Sequence, residues 1–137
     1  MAMAGVAPGM LGDRMVKLVY IVRRRADFTP EDFYRRWLAH GPLVREVATA
    51  IRARRYVQSH TVDTPLNAAL AGSRGMGPAY DGITEVWWDR LDDLAEGLST
   101  PEGRAGAQRL LDDEREFIDL AASYLFLTEE HEIFDLR

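Results

Sequence analysis

An amphipathic helix beginning near residue 30 is the feature that most constrains how this chain folds. Four residues recur at the three- and four-residue spacing of one helix face: Phe33, Trp37, His40 and Val44. This spacing predicts a helix that buries the stripe against the rest of the protein. The stripe therefore places His40, whose side chain can exchange a proton near neutral pH, among large apolar residues.

The remaining segments predict an α+β fold. β-Branched and aromatic runs predict four strands, and capping residues with apolar spacing predict three helices. The strands are 16–22, 55–62, 82–89 and 123–128, and the helices are 30–53 with a bend at Gly41-Pro42, 91–97 and 100–120. The connection 63–81 has no convincing element of its own. The order βαββαβ predicts a ferredoxin-like fold, with an antiparallel four-stranded sheet and helices on one face.

The sheet face without helices is also expected to be covered. The first and last predicted strands, 16–22 and 123–128, are apolar at nearly every position. Strands of this kind are usually buried on both faces. A second copy of the chain is the simplest cover, so we expect a homodimer in which two sheets form a dimeric α+β barrel.

Length and composition limit the possible functions. A chain of 137 residues predicts one domain, here 15–137 after an N-terminal tail 1–14. The net charge of −5 argues against a nucleic-acid partner. The chain has no cysteine, and no apolar run approaches the ~20 residues of a membrane span. The tail lacks the basic start of a signal peptide, so a cytoplasmic location without membrane attachment is expected.

A pocket between the helices and the sheet is the expected site. His40 would enter it from the helix, and strand alternation places Tyr56, Gln58 and His60 on one sheet face. The other residues expected to line this pocket come from the remaining strands and the first helix: Tyr20, Phe33, Trp37, Ile83, Glu85, Trp87 and Tyr124. Its aromatic walls suit a flat small molecule.

Two interpretations of the histidines stay open. Either ring is explained equally well as a hydrogen-bonded structural residue or as a catalytic group. In the catalytic interpretation, His40 removes a proton next to a carbonyl, and His60 or Tyr56 stabilises the enolate oxygen. Glu85 would then orient a histidine tautomer. No recognisable metal-ligand spacing and no glycine-rich loop after a strand is present, so we expect no metal and no cofactor.

Three segments resemble the EthD family of dimeric α+β barrel proteins. They are Phe33 through His40-Gly41-Pro42-Leu43, Arg55–His60 and Tyr80–Trp88, and the resemblance extends over about residues 15–135. Relatives of this family act as cyclases, dehydratases or decarboxylases on aromatic polyketides, and wider relatives are cofactorless monooxygenases. The resemblance thus implies cofactor-independent acid–base catalysis, isomerisation included, on an apolar substrate. The alternatives are a cofactorless monooxygenase and a non-catalytic protein that binds a hydrophobic metabolite.

Overall fold

A computed structural model describes residues 14–137, so the predicted tail lies outside the described residues except for Arg14. The elements, in chain order, are β1 (Val16–Val22), α1 (Pro30–Ile51), β2 (Arg55–His60), α2 (Pro65–Gly72), β3 (Gly82–Trp88), α3 (Leu91–Gly97), α4 (Pro101–Glu114) and β4 (Tyr124–Thr128). The strands form one antiparallel sheet in the order β2-β3-β1-β4. The predicted ferredoxin-like α+β fold is confirmed.

Helix α1 begins and packs as its sequence predicts. The side chain of Thr29 accepts a hydrogen bond from the amide of Asp32, and Pro30 occupies the first turn. The helix is one continuous element through Pro42 and ends at Ile51, two residues before the predicted end at 53. Pro42 leaves the carbonyl of Leu38 without its helical partner, and Leu38 lies on the solvent side with 62 % exposure. Water can therefore satisfy this carbonyl without a break in the helix.

The strands divide the sheet into two unlike faces. On the helix-covered face, β1 and β3 bury Val16, Tyr20, Val22, Val86 and Trp88 against the helical layer. The opposite face, which we call the open face, carries no helix of the described chain. It presents the alternate residues of the same strands, among them Lys17, Val19, Ile21, Ile83, Glu85, Trp87, Tyr124 and Phe126.

Two predictions are wrong: one helix was missed, and one helix ends earlier than expected. The connection 63–81 contains the short helix α2, which Thr64 caps through a hydrogen bond to the amide of Leu66. Helix α4 ends at Glu114 rather than near residue 120. Phe117 and Ile118 are nevertheless buried, because the chain turns after α4 and Ile118 forms an isolated bridge with Arg24.

Helices of a length and apolarity that could cross a bilayer do not occur within residues 14–137.

Candidate acid–base site

His40 is held by two carboxylate-bearing residues of α4. Its ring is buried on α1, with 4 % exposure. Nδ1 lies 2.6 Å from Oδ2 of Asp113, and Arg36 donates two hydrogen bonds of 3.2 and 2.6 Å to the same carboxylate. Hydrogen bonds from Arg36 keep the pKa of Asp113 below its usual range, so this carboxylate is charged and can only accept. Nδ1 of His40 therefore carries a proton, and Nε2 is left as the acceptor.

Glu114 faces that free nitrogen. Its Oε2 lies 3.9 Å from Nε2 of His40, and its Oε1 accepts a 3.0 Å hydrogen bond from the hydroxyl of Tyr20. Burial raises the pKa of Glu114 to about 7, an effect that the Tyr20 hydrogen bond opposes and the charge of Asp113 adds to. Burial and the neighbouring Glu114 raise the pKa of Tyr20, so its hydroxyl keeps its proton. We call Tyr20, Arg36, His40, Asp113 and Glu114 the His40 cluster.

The His40 cluster can exchange protons near neutral pH. Burial lowers the pKa of His40, and the hydrogen bond that its Nδ1–H donates to Asp113 opposes this shift. The His40 ring is consequently neutral where the carboxyl group of Glu114 changes between its acid and carboxylate forms. A neutral imidazole beside a carboxyl group whose pKa lies near 7 is an arrangement suited to general acid–base chemistry.

His60 lies in a separate, aromatic setting on the same sheet face. Its ring stacks on Tyr34 and Trp37, with centroid distances of 4.7 Å to each. Nε2 lies 2.8 Å from Oε1 of Gln58, whose amide donates to the Trp37 carbonyl at 2.7 Å and to the Tyr56 hydroxyl at 2.8 Å. Burial lowers the pKa of His60 and raises that of Tyr56. Both histidines thus occur on the helix-covered face, but each has its own hydrogen-bond partners.

Four residues expected in the pocket lie on the open face instead: Ile83, Glu85, Trp87 and Tyr124. The register explains the error. Tyr56 pairs with Val86 and Gln58 pairs with Thr84, so the even-numbered residues of β3 share the face of Tyr56. Glu85 therefore pairs with Lys17 at 2.7 Å, and it contacts neither histidine. Asp113 holds the orienting position that the sequence suggested for Glu85.

Phe33 and Trp37 do lie on the helix-covered face. Both are fully buried core residues, and the Phe33 ring contacts Phe117, which in turn packs against His40. Sequence reasoning missed Asp113 and Glu114 altogether. A signal was available in the acidic run at 112–114. Asp113 and Glu114 lie three and four residues after Leu110, so a helix that packs through Leu110 also turns these two acids toward its inner face.

Two clefts on the surface of residues 14–137 lie away from the His40 cluster. One is lined by Arg23, Arg24, Ala26, Ala79, Asp81 and Asp119, and a second by residues around Arg52 and Asp93. Neither includes His40 or His60. Across residues 14–137, no group of three or more His, Asp and Glu side chains is arranged to hold a metal ion.

The four-stranded antiparallel sheet with helices on one face places the chain in the class of ferredoxin-like α+β proteins. Within that class, the family model described as the EthD domain matches residues 25–121, so the chain belongs to the EthD family. The match lies inside the predicted domain 15–137. No protein of curated function matches the chain.

Solved structures share the fold at low identity. An ethyl tert-butyl ether D (EthD) family protein from Bacillus halodurans is 23 % identical with a TM-score of 0.56, covering 85 % of this chain and 99 % of its own. A dimeric ferredoxin-like protein of unknown function from Bacteroides fragilis is 16 % identical with a TM-score of 0.53, covering 85 % and 96 %. SnoaB, a cofactor-independent oxygenase from Streptomyces nogalater, is 13 % identical with a TM-score of 0.50, covering 87 % and 95 %.

Proposed function

We propose that this protein is an enzyme that moves protons on a small carbonyl compound without a cofactor. One observation carries the proposal: His40 is fixed by Asp113 on one nitrogen and faces the half-ionised Glu114 with the other. A buried histidine with a purely structural role needs a hydrogen-bond partner for each ring nitrogen, and Glu114 at 3.9 Å is too far from Nε2 to be that partner. A second carboxyl group beside its free nitrogen, itself bonded to a tyrosine, is costly to bury and is typical of functional sites.

The proposed reaction begins with removal of a proton from the carbon next to the carbonyl group. Nε2 of His40 accepts this proton, and the charge of Asp113 stabilises the imidazolium ion that results. Glu114 in its protonated form donates a hydrogen bond to the carbonyl oxygen, where the negative charge of the enolate develops. Return of the proton to another carbon gives isomerisation. Loss of a β-hydroxyl group, which leaves as water with the proton held by His40, gives dehydration. Attack of the enolate carbon on a second carbonyl, whose oxygen takes that proton, gives cyclisation.

Residues on the β2 side have a different role in this proposal. His60 donates to Gln58, and Gln58 holds the Tyr56 hydroxyl, so these three side chains form a fixed polar wall. Glu114 takes over the enolate-stabilising role first considered for His60 or Tyr56, because Glu114 is the group that faces Nε2 of His40.

Hydrogen–deuterium exchange of β-tetralone tests the proposal. This flat bicyclic ketone has exchangeable protons beside its carbonyl, and NMR in D₂O follows their loss. We expect the protein to accelerate exchange and His40→Asn to lower the rate by about 10²–10⁴-fold. His131→Asn is the matched control, since His131 is an exposed histidine with a 74 % exposed side chain. Equal rates for wild type and His40→Asn contradict the proposal.

Two further readings separate the alternatives. Uptake of oxygen with a phenolic compound and no added cofactor indicates a cofactor-independent oxygenase, the activity named for SnoaB. Saturable binding of β-tetralone without any acceleration of exchange indicates a non-catalytic binding protein. Either result contradicts the proposed proton-transfer reaction and favours the alternative it indicates.

We also propose that the protein forms a homodimer through the open face of the sheet, giving a dimeric α+β barrel. Ile83 and Phe126 are 38 % and 47 % exposed on this face, and Val19 and Ile21 lie between them. Contiguous apolar surface of this kind is typical of an interface. The similar protein from Bacteroides fragilis is described as dimeric.

A further inference from the structure

The helical layer does not cover the fourth strand. On the helix-covered face, Tyr20 of β1 and Val86 of β3 are 8 % and 9 % exposed. The corresponding residues of β4, Leu125 and Leu127, are 47 % and 40 % exposed. We call this pair the β4 shelf. It is an apolar strip on the helix-covered side of the sheet, and within residues 14–137 it lies at the outer edge, where β4 pairs with β1.

The β4 shelf begins beside the His40 cluster. Leu125 pairs directly with Tyr20 and Leu127 with Leu18, so the shelf and β1 form one continuous surface. The hydroxyl of Tyr20 donates a hydrogen bond to Glu114 above that surface. The Glu114 side chain retains 17 % exposure, whereas the His40 side chain retains 5 %. A molecule that approaches from the shelf therefore meets Glu114 before it meets His40.

We propose that the β4 shelf is the substrate-binding surface and that Glu114 binds the substrate's oxygen there. This inference rests on the proposed function and names its substrate class: a flat, uncharged, apolar molecule with one carbonyl or phenolic oxygen at its edge. The two leucines provide dispersion and hydrophobic contact for the flat body. Arg36 is already engaged twice by Asp113, so a substrate carboxylate would find no free cation in the His40 cluster.

Protonation of Glu114 supports this choice of substrate. Since burial raises the pKa of Glu114 to about 7, its carboxyl group is partly protonated at neutral pH and can donate a hydrogen bond to a neutral oxygen. A fully charged carboxylate in this position would instead repel an enolate.

Methyl NMR of the full chain with β-tetralone tests the β4 shelf. We expect the leucine methyl signals of Leu125 and Leu127 to shift on titration. Leu38 and Leu136 are the internal controls, because they are 62 % and 89 % exposed on other parts of the described chain and should not move. Leu125→Trp fills the shelf and should weaken β-tetralone binding by about tenfold or more, whereas the matched Leu38→Trp should leave it unchanged.

The outcomes separate the β4 shelf from the proposed function. Catalysed exchange with no shift of the shelf methyls overturns the shelf and leaves the function intact. Shelf shifts without catalysed exchange support the shelf as a binding site and end the proton-transfer proposal. Without any ligand, a shift of the same methyl signals on dilution would mean that a second copy of the chain covers the shelf. A shift of these signals in Phe134→Ser would mean that the C-terminal segment covers it. Either of these shifts also overturns the inference.

Discussion

The two faces of the sheet use the same strands for opposite purposes. On the helix-covered face, β1 contributes Tyr20 to a buried network of ionisable groups that includes His40 and Glu114. On the open face, the next residue, Ile21, belongs to a surface of apolar side chains that no helix of residues 14–137 covers. Period-two alternation therefore separates a chemical site from an apolar surface within one residue step.

This difference shows which surroundings a charged side chain and an apolar side chain each require. A charge that loses part of its water needs partners in place of that water, and the half-buried Asp113 has Arg36 and His40 for this purpose. Exposed apolar groups need no internal partner, but they favour association with another surface. The first face should consequently be sensitive to single substitutions and to pH, and the second to protein concentration.

The largest expected effect is the loss of a buried ring on the helix-covered face. Phe117 is fully buried and contacts Phe33, His40 and the guanidinium of Arg36. Phe117→Ala should lower the free energy of unfolding by about 3–5 kcal/mol, because it leaves a cavity beneath the His40 cluster. Phe126→Ala on the open face should cost under about 1 kcal/mol. Urea denaturation of the dilute protein measures both, and equal losses would contradict the contrast between the faces.

The next effect is a pair of opposite pH dependences within the His40 cluster. The pKa of Glu114 is raised from 4.5 to about 7, so its contribution to stability is complete below pH 4.5 and is lost as the pH rises to 7. The pKa of His40 is lowered from 6.5, so its contribution is complete above pH 6.5 and is lost as the pH falls. In the intact protein the two trends partly cancel.

Single variants should reveal each trend. His40→Asn retains the Glu114 dependence, and its free energy of unfolding should fall by roughly 3 kcal/mol as the pH rises across that range. Glu114→Gln retains the His40 dependence, and its stability should rise with pH instead. Denaturation at a series of pH values measures the slopes. Slopes of the same sign would contradict the opposite effects of burial on the pKa values of His40 and Glu114.

A charge on the open face should act on association rather than on chemistry. Phe126→Arg would place an unpaired cation in the proposed dimer interface, and the two-fold symmetry would introduce it twice. We expect dimer affinity to fall by about 10²-fold or more, with the exchange of β-tetralone retained. Sedimentation equilibrium measures the affinity, and Leu38→Arg on the exposed side of α1 is the control. A wild-type chain that is monomeric at micromolar concentration would end the dimer proposal.

Local patterns predicted the elements better than they predicted the site. The helical spacing of Phe33, Trp37 and His40 needs no tertiary information, and all three are buried as expected. The face of β3 could not be assigned in this way. Alternation defines two faces of a strand but does not show which one meets the helices. A long connection, rather than a tight hairpin turn that would set the register, joins β2 to β3. Ile83, Glu85 and Trp87 were therefore placed on the wrong side together.

The missing half of the site depends on a contact between distant parts of the chain. His40 and Asp113 are 73 positions apart, and they meet only because α4 packs against α1. The apolar pair Leu110-Leu111 indicates the inner face of α4, but it does not identify the residue of α1 that the acids on that face will meet. Sequence reasoning can identify a buried histidine from its helix, but its partners follow from the packing of a second helix.

The smallest expected effect tests the finding that Asp113 and Glu114, and not Glu85, are the carboxylates beside His40. Glu85 was the carboxylate that the sequence favoured for the site, and it instead pairs with Lys17 on the open face, where the two side chains are 25 % and 17 % exposed. Glu85→Gln should cost under about 1 kcal/mol of stability, as partly exposed ion pairs usually do. It should leave β-tetralone exchange unchanged, whereas Glu114→Gln, the same chemical change on the other face, should lower it. Urea denaturation and the D₂O exchange assay measure the two quantities. If both variants slow exchange equally, the assignment of Glu85 to the open face is contradicted, because a residue on that face has no contact with His40.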